Sequence, residues 1–305
     1  MKVAAGPGVR RMGQQVGGAR PALGILLVLL AAAGFGLAPT VAKLAYAEGS
    51  NTLTVVALRA VVSGALIALF MLAVGEPFRP DRRAIAPGLL ASLLSMAAVY
   101  GFIGAAATLP VAVVVLIFFL HPFGIAALQH WRGRERLTPA RLALALAALA
   151  GLAVAMGPQP GALDPVGLAL ALLSAAAVTG LILVMVRVRE FASSSQANVW
   201  IALLNAVGFG VIATALGGWA LPEGPVGWAA IAAAGVGIAV ALVAFFAAFR
   251  HLSPVRGTMI GCAEPVLGIL LAATLLGETL TPWQWTGVAV TVAALVLFEA
   301  TARNA

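Results

Sequence analysis

The long apolar stretches of this sequence are interrupted by a small set of side chains able to hold or move charge. Ser63, Tyr100, His121, Ser174, Thr179, Asn205 and Glu264 fall near the middles of the stretches, and Lys43 and Arg59 lie closer to their ends. Arg59, about a turn deeper than Lys43, is the better contact for a carboxylate; both could instead snorkel or pair with Glu48 or Glu264. Tyr100 and Asn205 could hydrogen-bond a bound molecule or a neighbouring helix. His121 and Glu264 are the titratable groups at depth, and each directly precedes a proline, Pro122 and Pro265. Either could change charge as a bound molecule moves, or Glu264 could tie up backbone groups freed by its proline. Helical spacing puts Arg59 with Ser63, Asn198 with Asn205, and Gly36 with Thr40 and Lys43; Gly257, Gly261 and Gly268 share the face of Glu264.

Other chemistries lack their residues. There is no His-Glu-x-x-His, no Gly-x-Ser-x-Gly and no phosphate loop, and His121, His130 and His251 are far apart in sequence. The Gly235–Gly237 pair sits within an apolar run and does not signal a nucleotide site. The single cysteine, Cys262, allows neither an intramolecular disulfide nor a cysteine-rich metal site, and it reads as a small packing residue. No catalytic residue, metal or cofactor is expected. An intramembrane enzyme is therefore the distant alternative.

The elements that position these groups follow from composition. The chain is 62% hydrophobic and 9% charged, with a mean hydropathy of +1.07. Its main solvent is lipid rather than water. The net charge of +8 comes from arginines clustered in short gaps between apolar runs, so topology explains it and nucleic acid is not an expected partner. About 20 apolar residues cross a bilayer core. Charges and Pro/Gly breaks delimit ten such runs: Ala22 to Tyr46, Thr52 to Val74, Ala84 to Ala107, Val111 to Gln129, Ala140 to Gly157, Pro165 to Val186, Gln196 to Leu216, Val226 to Phe249, Val255 to Leu276 and Pro282 to Phe298. The first is too long for a secretory signal. The third and fourth are divided only by Thr108, Leu109 and Pro110. Ten spans place every loop arginine on one side with the N-terminal tail, in the even-numbered loops, and merging spans three and four would break that parity. The tryptophans, near span ends, read as an interfacial belt.

An internal repeat sets the architecture. Glu135-Arg136-Leu137-Thr138-Pro139 recurs as Glu278-Thr279-Leu280-Thr281-Pro282, a shift of 278 − 135 = 143, and the same shift lays Pro122 on Pro265 and Gly24 on Gly167. Five spans per copy is an odd number, so the second copy is inverted. The loop at Glu135 carries Arg132, Arg134, Arg136 and Arg141, whereas the loop at Glu278 carries none. The expected fold is all-α and integral to the membrane: ten transmembrane helices as two inverted five-helix repeats, residues 21–157 and 164–300, after a tail of residues 1–20.

These residues resemble the EamA-type branch of the drug/metabolite transporter superfamily. The resemblance rests on Leu252-Ser253-Pro254, Glu264-Pro265 and the run from Leu276 to Thr281, with Gly36, Lys43, Leu58 and Arg59 as further matching positions. Phe35 and Ala38 depart from the family pattern, which commonly has Trp and Asn there, and Pro39 departs too. The resemblance implies a secondary transporter of small metabolites working by alternating access. Within it, exporters of the YddG type carry aromatic and other amino acids; a drug, nucleoside or other metabolite permease is the alternative. Substrate-binding candidates are Lys43, Arg59, Ser63, Tyr100, His121, Thr179, Asn205 and Glu264, with Pro122 and Pro265 as hinges. Span four is expected to bend on one side of the cycle and span nine on the other. Partners would be the substrate, lipid and protons as a coupling ion. Sixteen arginines against two lysines, with many alanines and glycines, suit a GC-rich bacterial genome and an inner membrane, with both termini cytoplasmic.

The topology is open to direct test. In protein lacking Cys262, a cysteine replacing Glu278 should react with a membrane-impermeant maleimide from outside the cell. Reaction only from the cytoplasmic side would overturn the inverted repeat.

Overall fold

A chain in hydrocarbon has to satisfy its backbone hydrogen bonds internally, and helices do so within one segment. The computed structural model describes residues 20–135, 138–157 and 164–303, and its regular structure among them is helical throughout. Span 1 is α1 (Pro21–Ala47), span 2 is α2 (Thr52–Ala73) and span 3 is α3 (Arg82–Ala106). Span 4 is α4 (Val111–Phe118) followed by α5 (His121–Trp131), and span 5 is α6 (Pro139–Met156). The second half repeats this pattern as α7 (Pro165–Val188), α8 (Ser194–Ala215), α9 (Pro225–Ala248), α10 (Pro254–Gly261) with α11 (Ala263–Leu276), and α12 (Pro282–Arg303). Ten helical stretches are thus long and apolar enough to cross a membrane. The tail before Arg20, and Arg136 and Leu137 of the repeated motif, lie outside the described residues.

Sequence signals set the helix starts. Asn51, Asp81, Thr138, Asp164, Ser193 and Ser253 each accept a backbone N–H of their first turn, and Ser193 with Gln196 forms a reciprocal capping box. Helix α9 starts at Gly224, which has no side chain to cap it; Glu48, from the end of α1, accepts from Gly224 N at 3.1 Å and Gly227 N at 2.6 Å instead. That capping contact joins span 1 to span 8. Thr108 to Pro110 do divide spans 3 and 4, since α3 stops at Ala106 and α4 begins at Val111. Helix α12 runs on past Phe298, which puts Glu299 inside it.

Apolar side chains gain little by leaving lipid for protein, so close packing through small residues holds the spans together. A Cβ on Gly34 would lie 2.4 Å from the Gly237 carbonyl oxygen of span 8, and one on Gly101 would lie 2.6 Å from the Leu170 oxygen of span 6. The two most extensive seams are α1 with α9 and α3 with α7. These pairings, span 1 with 8 and span 6 with 3, map onto each other under the 143-residue shift. The seams of α6 with α12 and of α2 with α8 each map onto themselves. Thr291 Oγ1 donates to the Ala148 oxygen at 3.3 Å, and these two residues are themselves 143 apart. Equivalent residues touch only near the symmetry axis, so the pseudo-two-fold passes between α6 and α12 at this point.

The even-numbered loops give the bundle an arginine-bearing end, and Glu48, Asp164, Glu223 and Glu278 mark the opposite, acidic end. All six tryptophans are exposed, as a belt requires. The core differs between the ends. Towards the arginine-bearing end one cluster joins spans 3 to 10, through Ala91, Ile125, Ala145, Met185, Ile201, Phe246, Met259 and Phe298. Towards the acidic end the core divides into separate groups, around Val41 and Ile231, around Val114 and Ala171, and around Val266 and Val288.

Where α6 meets α12, a Cβ on Gly287 would fall 2.2 Å from Ala155 N and 2.5 Å from the Gly151 oxygen, both backbone atoms that cannot turn aside. Gly287→Val should therefore cost about 1–3 kcal/mol, read as a drop of several degrees in thermal unfolding in detergent. Gly210, with nothing within 4 Å of its Cβ position, should accept Ala without loss.

Candidate functional site

Proline has no N–H to give the carbonyl four residues earlier, and mid-membrane there is no water to replace it. Span 4 is interrupted between Phe118 and His121, just before Pro122, and span 9 at Cys262, just before Glu264-Pro265. Both interruptions are tightened by i→i−3 bonds, Leu120 N to the Ile117 oxygen at 3.0 Å and Cys262 N to the Met259 oxygen at 3.1 Å. The carbonyl that Pro122 cannot serve is that of Phe118, and His121 Nδ1 lies 2.9 Å from it. A carbonyl only accepts, so Nδ1 carries the hydrogen. His121 is buried between Phe118 and Phe119, with ring centroids 5.1 and 5.8 Å away. The interruptions fall at the expected prolines, but both are present in one conformation, because proline breaks the ladder whichever way the span leans.

Each interruption is backed by a span of the same helical register. Thr179 Oγ1 donates to the His121 oxygen at 3.3 Å and to its own helix at Ala175, 2.9 Å away. The position equivalent to Thr179 is Gly36, since 179 − 36 = 143, and a Cβ there would lie 3.0 Å from the Glu264 oxygen and 2.9 Å from Gly268 N. Span 6 thus meets its broken partner with a hydroxyl, and span 1 meets its own by close packing. Thr40, one turn on, bonds the Gly268 oxygen at 3.3 Å, and Lys43 Nζ reaches Glu278 Oε1 at 2.7 Å. The shared face of Gly36, Thr40 and Lys43 is therefore directed at span 9 and its following loop. Lys43 pairs with Glu278, not with Glu48, which caps α9, nor with Glu264.

Arg59 and Glu264 remain without such partners. Both lie deep in the bundle yet are partly exposed. Each feels the other's charge, but among the described residues neither side chain has a hydrogen bond or an ion pair within 4.0 Å. The remaining candidates are less central. Ser63 is buried and bonds its own helix at the Ala60 oxygen, 3.1 Å away; Ser174 ties span 6 to the Ala98 oxygen of span 3 at 2.7 Å. Asn205 Nδ2 donates to Ser95 Oγ at 2.9 Å, and its Oδ1 is buried without a partner among the described residues. Asn198, on the same face, bonds Ser194 and the Leu242 oxygen. Tyr100 is 53% exposed, on the face of Leu93 one heptad earlier.

The sequence did not single out the polar network at the arginine-bearing end. Arg256 holds Glu299 through two guanidinium nitrogens, one of them Nε at 3.2 Å from Oε2. Arg141 approaches Glu135 at 4.0 Å. Burial pushes the Glu135 carboxyl above the usual carboxylate range, against a hydrogen bond from Ser253 and the charges of Arg141 and Arg256. The available signal was an acidic residue directly after the last apolar run, Glu299.

Removing the His121 donor should strand a buried carbonyl, at a cost of about 1–3 kcal/mol. His121→Phe should therefore unfold at lower temperature in detergent, and His121→Asn, whose Nδ2 occupies nearly the place of Nδ1, should recover most of the difference. Equal stability of the two variants would show that the imidazole does not hold this carbonyl.

Comparison with known proteins agrees with this architecture. A solved crystal structure of a protein superposes with a TM-score of 0.76 at 21% identity, covering 93% of this chain and 98% of its own, which establishes the shared fold. No curated protein matches the chain. Residues 22–157 and 165–299 each match the EamA-like transporter family, one match to each five-span half. The chain, with its two repeated halves and their paired interruptions, belongs to the EamA-like transporter family.

Proposed function

We propose that this protein is a secondary transporter that exports small zwitterionic metabolites, foremost amino acids with apolar or aromatic side chains, by alternating access. The observation that carries this reading is the pair Arg59 and Glu264: two ionisable side chains of opposite type inside the membrane that, among the described residues, form no ion pair within 4.0 Å with each other or with any other group. A charge at the centre of a span costs about 2.5–3.5 kcal/mol on insertion scales, so two that forgo each other need another partner. A zwitterion supplies both partners, its carboxylate on the Arg59 fork and its ammonium on Glu264, and its side chain takes the apolar walls. His121 and Thr179 hold the interruption of span 4, and Pro122 and Pro265 provide the give at which the spans move. Asn205 and Ser63 support the helices around the path.

The arginine-bearing end is read as cytoplasmic, with both termini there, in a bacterial inner membrane. At that end one cluster joins spans 3 to 10 and smaller groups hold spans 1 and 2 to span 8, whereas at the acidic end the core is divided throughout. On this reading the conformation opens outward and is closed inward, with Glu264 exposed to the outer solution, where it could exchange a proton against the substrate's ammonium.

Counterflow of labelled phenylalanine or leucine into liposomes holding the pure protein tests the reading against empty liposomes. Arg59→Gln and Glu264→Gln should each lower flux roughly ten- to a hundredfold, the worth of one charge-assisted contact, and Glu264→Gln should flatten its pH dependence. No flux of any amino acid in wild type would move the substrate to nucleosides, sugars or drug-like molecules. Unaltered flux in both variants would remove the charge pair from the site.

A further inference from the structure

A second set of unpartnered charge lies away from this site. Where α7 and α9 end, side by side at the arginine-bearing end, Val186, Arg189, Glu190, Phe249 and Arg250 line a recess of about 200 Å³. Arg189 is half-buried and donates one Nη1 hydrogen to the Phe246 oxygen, capping the end of α9. That contact uses one of its five N–H groups. Its Nε is buried with no acceptor among the described residues. Arg250 is exposed and close enough that the two guanidiniums repel, and burial followed by this repulsion brings the Arg189 guanidinium down to about 10. Glu190 lines the same recess, yet neither arginine has an ion pair with it within 4.0 Å among the described residues.

Capping alone accounts for Arg189 Nη1. It does not account for a buried Nε, nor for a second arginine converging where two helix carboxyl ends can serve only part of the donors. Two guanidiniums that line one recess, with Nη hydrogens beyond the one that caps α9, suit the oxygens of a phosphate, which take them in parallel. The recess opens where the spans leave the hydrocarbon, and Val186 and Phe249 give it an apolar wall. Basic recesses between spans at this depth are suited to anionic headgroups, with the acyl chains continuing along the helices. We propose that the recess between the ends of spans 6 and 8 is a binding site for the phosphate of an anionic phospholipid, held by Arg189 and Arg250. A free phosphate ion would share the oxygens but not the apolar wall, so a lipid is the occupant assigned.

The test uses the full chain, delipidated in detergent and titrated separately with phosphatidylglycerol, phosphatidylcholine and inorganic phosphate, with binding followed by native mass spectrometry and thermal unfolding. Phosphatidylglycerol should be retained in preference to phosphatidylcholine and should raise the unfolding temperature. Arg250→Gln, an exposed change that leaves the cap on Phe246 in place, should weaken retention about fivefold, the worth of one arginine near an anionic surface. Arg189→Lys, which keeps the charge but loses the fork, should also weaken it. Equal retention of the two lipids, or retention unchanged in both variants, would overturn the proposal. Inorganic phosphate matching phosphatidylglycerol at equal concentration would overturn the lipid assignment. None of these readouts depends on transport, so the result stands apart from the substrate reading.

Discussion

A proline halfway through a membrane leaves a carbonyl that water cannot reach, and much of this molecule is arranged around two of them. The hydrogen-bond ladder is broken once in each half, at Pro122 and Pro265, and each break is supported from the side by the span that faces it. At the first break the repair is chemical: an imidazole takes the orphaned Phe118 oxygen, and a threonine hydroxyl takes the oxygen of His121. At the second the support is close packing, because Gly36 lets span 1 lie directly against the backbone of Glu264 and Gly268. Interrupted helices of this kind are tolerated in membranes only where protein covers them or a polar cavity adjoins them. The Glu264 side chain, beside the second break, has no hydrogen bond or ion pair among the described residues.

The two halves are therefore related but not interchangeable. At the acidic end, Lys43 and Glu278 close an ion pair between span 1 and the loop after span 9. The equivalent pair would be Val186 and Glu135, and valine has no charge to offer. Glu135 is drawn instead into the network of Ser253, Arg141 and Arg256, where burial and compensation compete. Exposed ion pairs contribute little to stability, typically 0–1 kcal/mol. The Lys43–Glu278 pair, about half exposed on both sides, is accordingly a weak tie between span 1 and that loop. The arginine-bearing end combines a partly buried arginine–glutamate pair with an apolar cluster that joins spans 3 to 10.

Much of this was legible beforehand, for definite physical reasons. Span number followed from length and the parity of arginines, because the bilayer imposes both. Inversion followed from one recurring segment around Glu135 and Glu278. The positions of the breaks followed from proline, whose effect on a helix is local. Side-chain partners were harder to read. Lys43 could have met Glu48, Glu264 or Glu278 by depth alone, and only the path of the loop after α11 decides for Glu278. Ser63 and Thr179 are polar at depth, yet their hydroxyls bond to backbone, Ser63 within its own helix and Thr179 also across to His121, which sequence cannot tell from a ligand contact. Tyr100 looked interior because it is aromatic and mid-span, but its face is set by the neighbours of span 3, not by its own chemistry. Glu299 was hidden by the assumption that the last span ends with its apolar run.

The contact between Ala148 and Thr291 has one more implication. Suppose the opposite state of an inverted-repeat protein is obtained by letting each half adopt the other's conformation. Every contact between two residues is then replaced by the contact between their counterparts: the packing of Gly36 on Gly268 gives way to that of Thr179 on Ile125. A contact between counterparts is its own replacement. The crossing of α6 and α12 at Ala148 and Thr291 is thus a point that the exchange leaves unmoved, while contacts between non-equivalent residues, such as that of Gly151 with Gly287, trade places with their counterparts.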